Sequence, residues 1–180
     1  SLKINNLIVK IINFLLVTFF KQQSVYSLNL FPSNLSEIIN KSDYDIINFH
    51  WINHEMISLR DINKITKPIV WTFHDNWPFS SIEHYIKKND NRYIDGYKNE
   101  SSVLEKIIWK KKLKVFEKKI STVIAPSKWM ADLAKESFIF KNKKIFQIPY
   151  PLDMKIFFPE NSYLTRKKLK LESLQKNTKI

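Results

Sequence analysis

The sequence predicts an α/β domain of Rossmann-like type: a parallel sheet with helices on both faces. Three observations carry that expectation. Short β-rich apolar runs alternate with helical patterns along the chain. The 180 residues are 44% hydrophobic, enough to bury a core. Polar residues collect directly after the apolar runs, and such sheets bind ligands beyond the carboxyl ends of their strands.

Residues 2–20 are rich in Leu, Ile, Val and Phe, but Lys3, Asn6, Lys10 and Asn13 recur every three or four residues and form one helical stripe. A spanning helix needs roughly 20 mostly uncharged residues, and Lys10 falls in the middle of this run. The pattern predicts an amphipathic helix that packs on the sheet or lies on a membrane surface. No small-residue cleavage site of a signal peptide follows Phe20.

Asn34 with Glu37 three residues on resembles a capping box, opening a short helix to about Lys41. Residues 45–50 read as a strand. Residues 55–66 place Met56, Leu59, Ile62 and Ile65 three apart, the spacing of an apolar helix face. Lys67-Pro68 punctuates, and residues 69–73 read as a buried strand. An irregular polar-aromatic stretch covers 76–99. A basic helix follows over about 101–119, with Trp109, Leu113, Phe116 and Ile120 on its buried stripe. Residues 122–125 form a third strand, and Ser127 can cap a helix running to about Ser137. Residues 144–148 are a fourth strand, stopped by Pro149 and Pro151.

Composition excludes several chemistries. Cysteine is absent, so there are no disulfides, thiolate metal sites or cysteine nucleophiles. Gly96 is the sole glycine, which excludes a glycine-rich phosphate loop or a dinucleotide fingerprint. The His and Asp residues show no metal-ligand spacing, so no metal is expected. The net charge of +13 sits in the second half. Residues 86–120 hold eleven basic and five acidic side chains, a net of +6, and residues 135–180 eleven and four, a net of +7. Solvated helix faces account for such lysines, and attraction to anionic lipid or a phosphorylated ligand is the next reading. No basic-aromatic sheet motif, zinc finger or helix-turn-helix accompanies the charge, so nucleic acid is not an expected partner.

Five pieces in order resemble one family: DIINFHWIN (45–53), KPIVWTFHDNWPFS (67–80), HY (84–85), APSKWMADLAKES (125–137) and IPYPLDMKIFFP (148–159). They are similar to GT-B glycosyltransferases of family 4, most of all to bacterial enzymes that build capsular and extracellular polysaccharides such as colanic acid. The resemblance implies a retaining transferase with a nucleotide-sugar donor and a sugar or lipid-linked glycan acceptor. It implies a cytoplasmic protein, peripheral at the inner face of an anionic membrane. Residues 28–152 resemble the acceptor-side domain, 1–27 its amphipathic helical region, and 153–180 the hinge and start of a donor-binding domain, so a fragment inactive alone is expected. The alternative is a non-catalytic glycan- or lipid-binding module or a gene remnant. Three departures stand out. Ser80, Ser81, Ile82 and Glu83 replace the family's threonine and glycines, its cysteines are missing, and Tyr150-Pro151-Leu152 replaces an asparagine and glycine before the hinge aspartate.

By this resemblance His74 reaches the transferred sugar, where a neutral imidazole donates to a hydroxyl; its other reading is a core histidine. Asp75 is a candidate to accept from an acceptor hydroxyl or to cap the following turn. His50 and Trp51 match the family's HW pair, Trp51 as sugar platform or core filler. His84-Tyr85 reads as structural. Ser127 is either an anion-binding position at a helix N-terminus or a plain helix cap. Glu55 and Glu83 draw attention as acids, but their spacing supplies no carboxylate pair.

Overall fold

The computed structural model describes Ile11, Leu15 and residues 25–171. The helix expected over 2–20 therefore lies outside the described residues, except for Ile11 and Leu15, both helical. The chain divides into two compact units, Ser1–Pro149 and Tyr150–Ile180.

In the first unit, α1 (Leu35–Lys41) follows Asn34, whose side chain makes no cap bond, so the expected capping box is not formed. β1 is Ile47–Phe49. α2 (Leu59–Lys64) starts later than the apolar spacing suggests. His54 and Glu55 take positive φ values of 52° and 59°, which no helix accepts, and the Ser58 hydroxyl then caps the Asp61 N–H at 3.0 Å. β2 is Ile69–Thr72. One helical turn, α3 (Arg92–Asp95), breaks the stretch expected to be irregular. Gly96 ends it at φ 77°, and a Cβ there would stand 2.8 Å from the Trp109 ring, so both backbone and space require glycine.

α4 (Val103–Lys119) opens with a full capping box that the spacing argument passed over: Ser102 accepts from Glu105 N–H, and the Glu105 carboxylate accepts from Ser102 N–H at 2.7 Å. β3 (Ile120–Ala125) follows without a linker. Ser127 caps α5 (Lys128–Glu136), as its position suggests, and β4 is Lys144–Gln147. The second unit holds α6 (Ser162–Lys168), capped by the Asn161 side chain.

The four strands lie in the order β1-β2-β3-β4, every neighbouring pair parallel. Helices pack around this sheet, an α/β Rossmann-like arrangement. Ile69, Trp71 and Phe73, with Val123 and Ala125 beside them, point into the core. The Trp71 ring meets Phe116 of α4 edge-on at 5.0 Å, and Phe73 meets Phe140 at 5.1 Å. Each buried side chain of this size contributes roughly 1.5–3 kcal/mol by leaving water. Among the described residues, no helix is long and apolar enough to cross a membrane.

Candidate functional site

Parallel pairing brings the carboxyl ends of all four strands to one edge of the sheet. His50 and Trp51 leave β1 there, and His74 and Asp75 leave β2 one residue after Phe73. The Phe73 N–H still bonds to Ile124, and the Trp71 indole N–H donates to the His50 carbonyl at 2.9 Å, so both strand ends are fixed before the site begins.

A chain of hydrogen bonds runs along this edge. The Thr72 hydroxyl donates to Asn48 Oδ1 at 3.2 Å, and Asn48 Nδ2 donates to His50 Nε2 at 3.3 Å. His50 Nδ1 lies 2.8 Å from His74 Nε2. Because the Asn48 amide nitrogen can only donate, His50 accepts at Nε2, carries its proton on Nδ1 and donates to His74 Nε2. The proton of a neutral His74 is thereby assigned to Nδ1. Burial and the neighbouring His50 lower the His74 pKa, against a raising pull from Asp75, which favours that neutral form. Both rings are exposed to solvent.

Asp75 behaves differently. It is 7% exposed, and its oxygens are engaged by protein donors. Oδ1 accepts from Trp77 N–H at 3.0 Å, which is the turn-capping role. Oδ2 accepts from the Trp51 indole N–H at 3.0 Å and from His84 Nδ1 at 2.6 Å. Trp51 is thereby held by its nitrogen while the residue stays 39% exposed, and its ring meets His54 at 4.8 Å. Burial, with His84 nearby, lowers the His54 pKa. All four histidines of the chain, His50, His54, His74 and His84, serve this one edge.

His84 Nε2 continues to the Ser27 hydroxyl at 2.9 Å. Asp75, His84 and Ser27 thus share the connectivity of a hydrolytic triad. Ser27 is only 3% exposed, however, and its oxygen also receives the His54 N–H at 3.2 Å. A nucleophile must reach a substrate, so this trio braces the site from within.

The loop that delivers His84 is anchored by buried charge. Lys112, fully buried, donates to the carbonyls of Trp77, Ser80 and Ser81, the last two at 3.0 and 2.8 Å, and sits 3.5 Å over the Trp77 ring. Burial pushes its pKa well below the ordinary lysine value, opposed by Glu83 and Asp75. Arg92 bonds to Asp90, Glu83 and Glu105, each at 2.7 Å, and Asp90 leads in raising its pKa. Burial raises the pKa of Glu83, with Arg92 pulling the other way.

The remaining sequence candidates separate clearly. Ser127 caps α5 through Met130 N–H at 3.2 Å. Glu55 is buried, and its carboxylate collects three consecutive backbone donors, Asn29, Leu30 and Phe31, at 2.6, 2.6 and 2.8 Å. Burial outweighs those bonds and raises its pKa. Glu83 belongs to the Arg92 cluster, and Tyr85 is exposed. Sequence reasoning missed Asn48, His54, Ser27 and Lys112. Only Lys112 left a usable signal: it stands three residues after Trp109 and four before Phe116, on the buried stripe of α4.

A family model described as Glycosyltransferase Family 4 matches residues 4–155. No curated protein and no solved structure matches the chain.

Proposed function

The chain belongs to glycosyltransferase family 4, and on that premise we propose that it serves a retaining transfer of a sugar from a nucleotide-sugar to a sugar or lipid-linked glycan acceptor. The observation that carries this reading is the His50–His74 pair at the ends of two adjacent parallel strands, beside a half-open Trp51. An indole face offers a stacking surface for a sugar ring, and a neutral imidazole with its proton on Nδ1 can donate to a hydroxyl. His74 is the catalytic residue in this reading, and His50 orients it. Asp75 acts through Trp51 and His84 as a positioning residue. Ser127, already a helix cap, stands at the same edge as a further substrate contact.

Residues 28–152 form the acceptor-side domain in this proposal, and residues 153–180 lead towards a donor-binding one. With a single glycine, the chain has no glycine-rich cradle for donor phosphates, so that task falls to the donor-binding half. The pathway is cell-surface polysaccharide assembly on the cytoplasmic face of a membrane, with the protein in peripheral contact with anionic lipid. The test is His74→Ala in a chain joined to a compatible donor-binding domain. Turnover should fall by one to three orders of magnitude, roughly the 1.5–4 kcal/mol of one oriented transition-state contact, with the melting temperature unchanged. A large stability loss with unchanged turnover would make His74 a structural residue and overturn the assignment.

A further inference from the structure

α4 turns one stripe to solvent: Val103, Ile107, Lys110, Lys111, Lys114 and Lys118 follow one another at helical spacing. Val103 is 75% and Ile107 47% exposed. Beside Lys111 and Lys114, a groove of about 300 Å³ opens between α4 and α2, lined also by Leu30 and Arg60. Among the described residues, neither Arg60 nor any lysine of the stripe makes an ion pair. A merely solvated helix face interleaves its charges with opposite ones. This face carries one exposed acid, Glu117, and otherwise sets unpaired cations beside exposed apolar side chains, the composition of a surface that lies on an anionic interface. Strand-tracking nucleic-acid surfaces combine cations with stacking rings, and no aromatic residue lies on this stripe.

Topology gives the stripe a direction. α4 ends at Lys119 and the parallel strand β3 begins at Ile120, so α4 runs back against the strands. Val103 and Ile107, at its beginning, therefore lie towards the edge that carries His50 and His74. We propose that this face docks the protein on an anionic bilayer, with Val103, Ile107 and Leu30 entering the headgroup region and Arg60 and the lysines meeting lipid phosphates. The assignment rests on the peripheral-membrane reading above, and it presents the His50–His74 edge to an acceptor carried by lipid.

The experiment is co-sedimentation of the 180-residue chain with phosphatidylcholine vesicles, with and without phosphatidylglycerol. Binding should require phosphatidylglycerol and weaken with salt. The triple change Lys110→Glu, Lys111→Glu, Lys114→Glu should weaken partition by roughly a hundredfold. The pair Val103→Ser, Ile107→Ser should weaken it by about tenfold. A control of equal charge change in the second unit, Lys167→Glu, Lys168→Glu, Lys170→Glu, should cost far less. All five α4 substitutions are at exposed positions, and circular dichroism checks that each variant is folded. No binding to the anionic vesicles would sink both this proposal and the peripheral reading. Binding that the α4 variants and the control weaken equally would sink this face alone. Equal binding to neutral vesicles, or tighter binding to single-stranded RNA than to the vesicles, would also overturn it.

Discussion

At the open edge of β1 and β2, polar side chains bond to one another and keep a face towards solvent, whereas in the loop after β2 charged side chains are buried and spent on the protein itself. The same short segment supplies both: His74 faces outward, and Asp75, its neighbour, is closed in by Trp51, Trp77 and His84. The hydrogen bond between the two imidazoles leaves both histidines exposed to solvent. The lysine under three carbonyls is fully buried. The difference teaches that position at the sheet edge marks where a site can be, while partners and burial decide which residues there can meet a substrate.

The largest effect should come from the buried side of that contrast. Arg92→Ala removes the cation shared by Asp90, Glu83 and Glu105 and leaves buried negative charge without compensation. A loss of about 3–5 kcal/mol is expected in urea denaturation. A loss no larger than the ~1 kcal/mol of an exposed pair would mean that the loop does not depend on this cluster.

Lys112→Met comes next. It strands the carbonyls of Trp77, Ser80 and Ser81, and a cost of about 1–3 kcal/mol follows from unsatisfied buried acceptors. Its pH signature is separate. The folded-state pKa is depressed, so between that value and the ordinary 10.5 the unfolded chain binds more protons than the folded one. Stability therefore rises with pH through this window and is lost as pH falls through it. Lys112→Met should remove that share of the slope; an unchanged slope would show that Lys112 titrates as an ordinary lysine.

The sequence made the sheet legible because its strands are short β-rich runs with polar stops, and it made the edge legible because those stops are where the polar residues cluster. Local backbone was harder to read. The helix expected from Glu55 begins at Leu59, since apolar spacing at Met56, Leu59 and Ile62 says nothing about the positive φ of His54 and Glu55. The capping box at Asn34 was expected and did not form, while the one at Ser102 formed unannounced, because the motif is common and its geometry depends on how the chain enters the helix. The network behind the site was hidden for another reason. Ser27 and His84 are 57 positions apart, and only tertiary packing brings them to 2.9 Å. Asp75 could be weighed as sugar contact or turn cap, but its third role, holding Trp51, depends on a neighbouring strand.

The smallest expected effect lies at the open edge and is read by titration. The bond from His50 Nδ1–H to His74 Nε2 needs a lone pair on His74, so it exists only while His74 is neutral. Burial first, then repulsion from His50, lowers the His74 pKa, and Asp75 partly offsets them. NMR titration of the imidazole resonances should therefore place the His74 midpoint below 6.5. His50→Phe removes the repelling charge and should move the midpoint up; Asp75→Asn removes the attracting one and should move it down. The stability sign follows from the same shift. With the folded pKa below the unfolded one, this contribution is complete above pH 6.5 and is lost as pH falls towards the folded value, because the unfolded chain takes the proton first. The exposed ring is screened by solvent, which keeps the effect small. A midpoint above 6.5 would mean that His74 is charged when its neighbour needs an acceptor; the tautomer order from Thr72 to His74 would then be wrong, and with it the case for a neutral donor to the sugar.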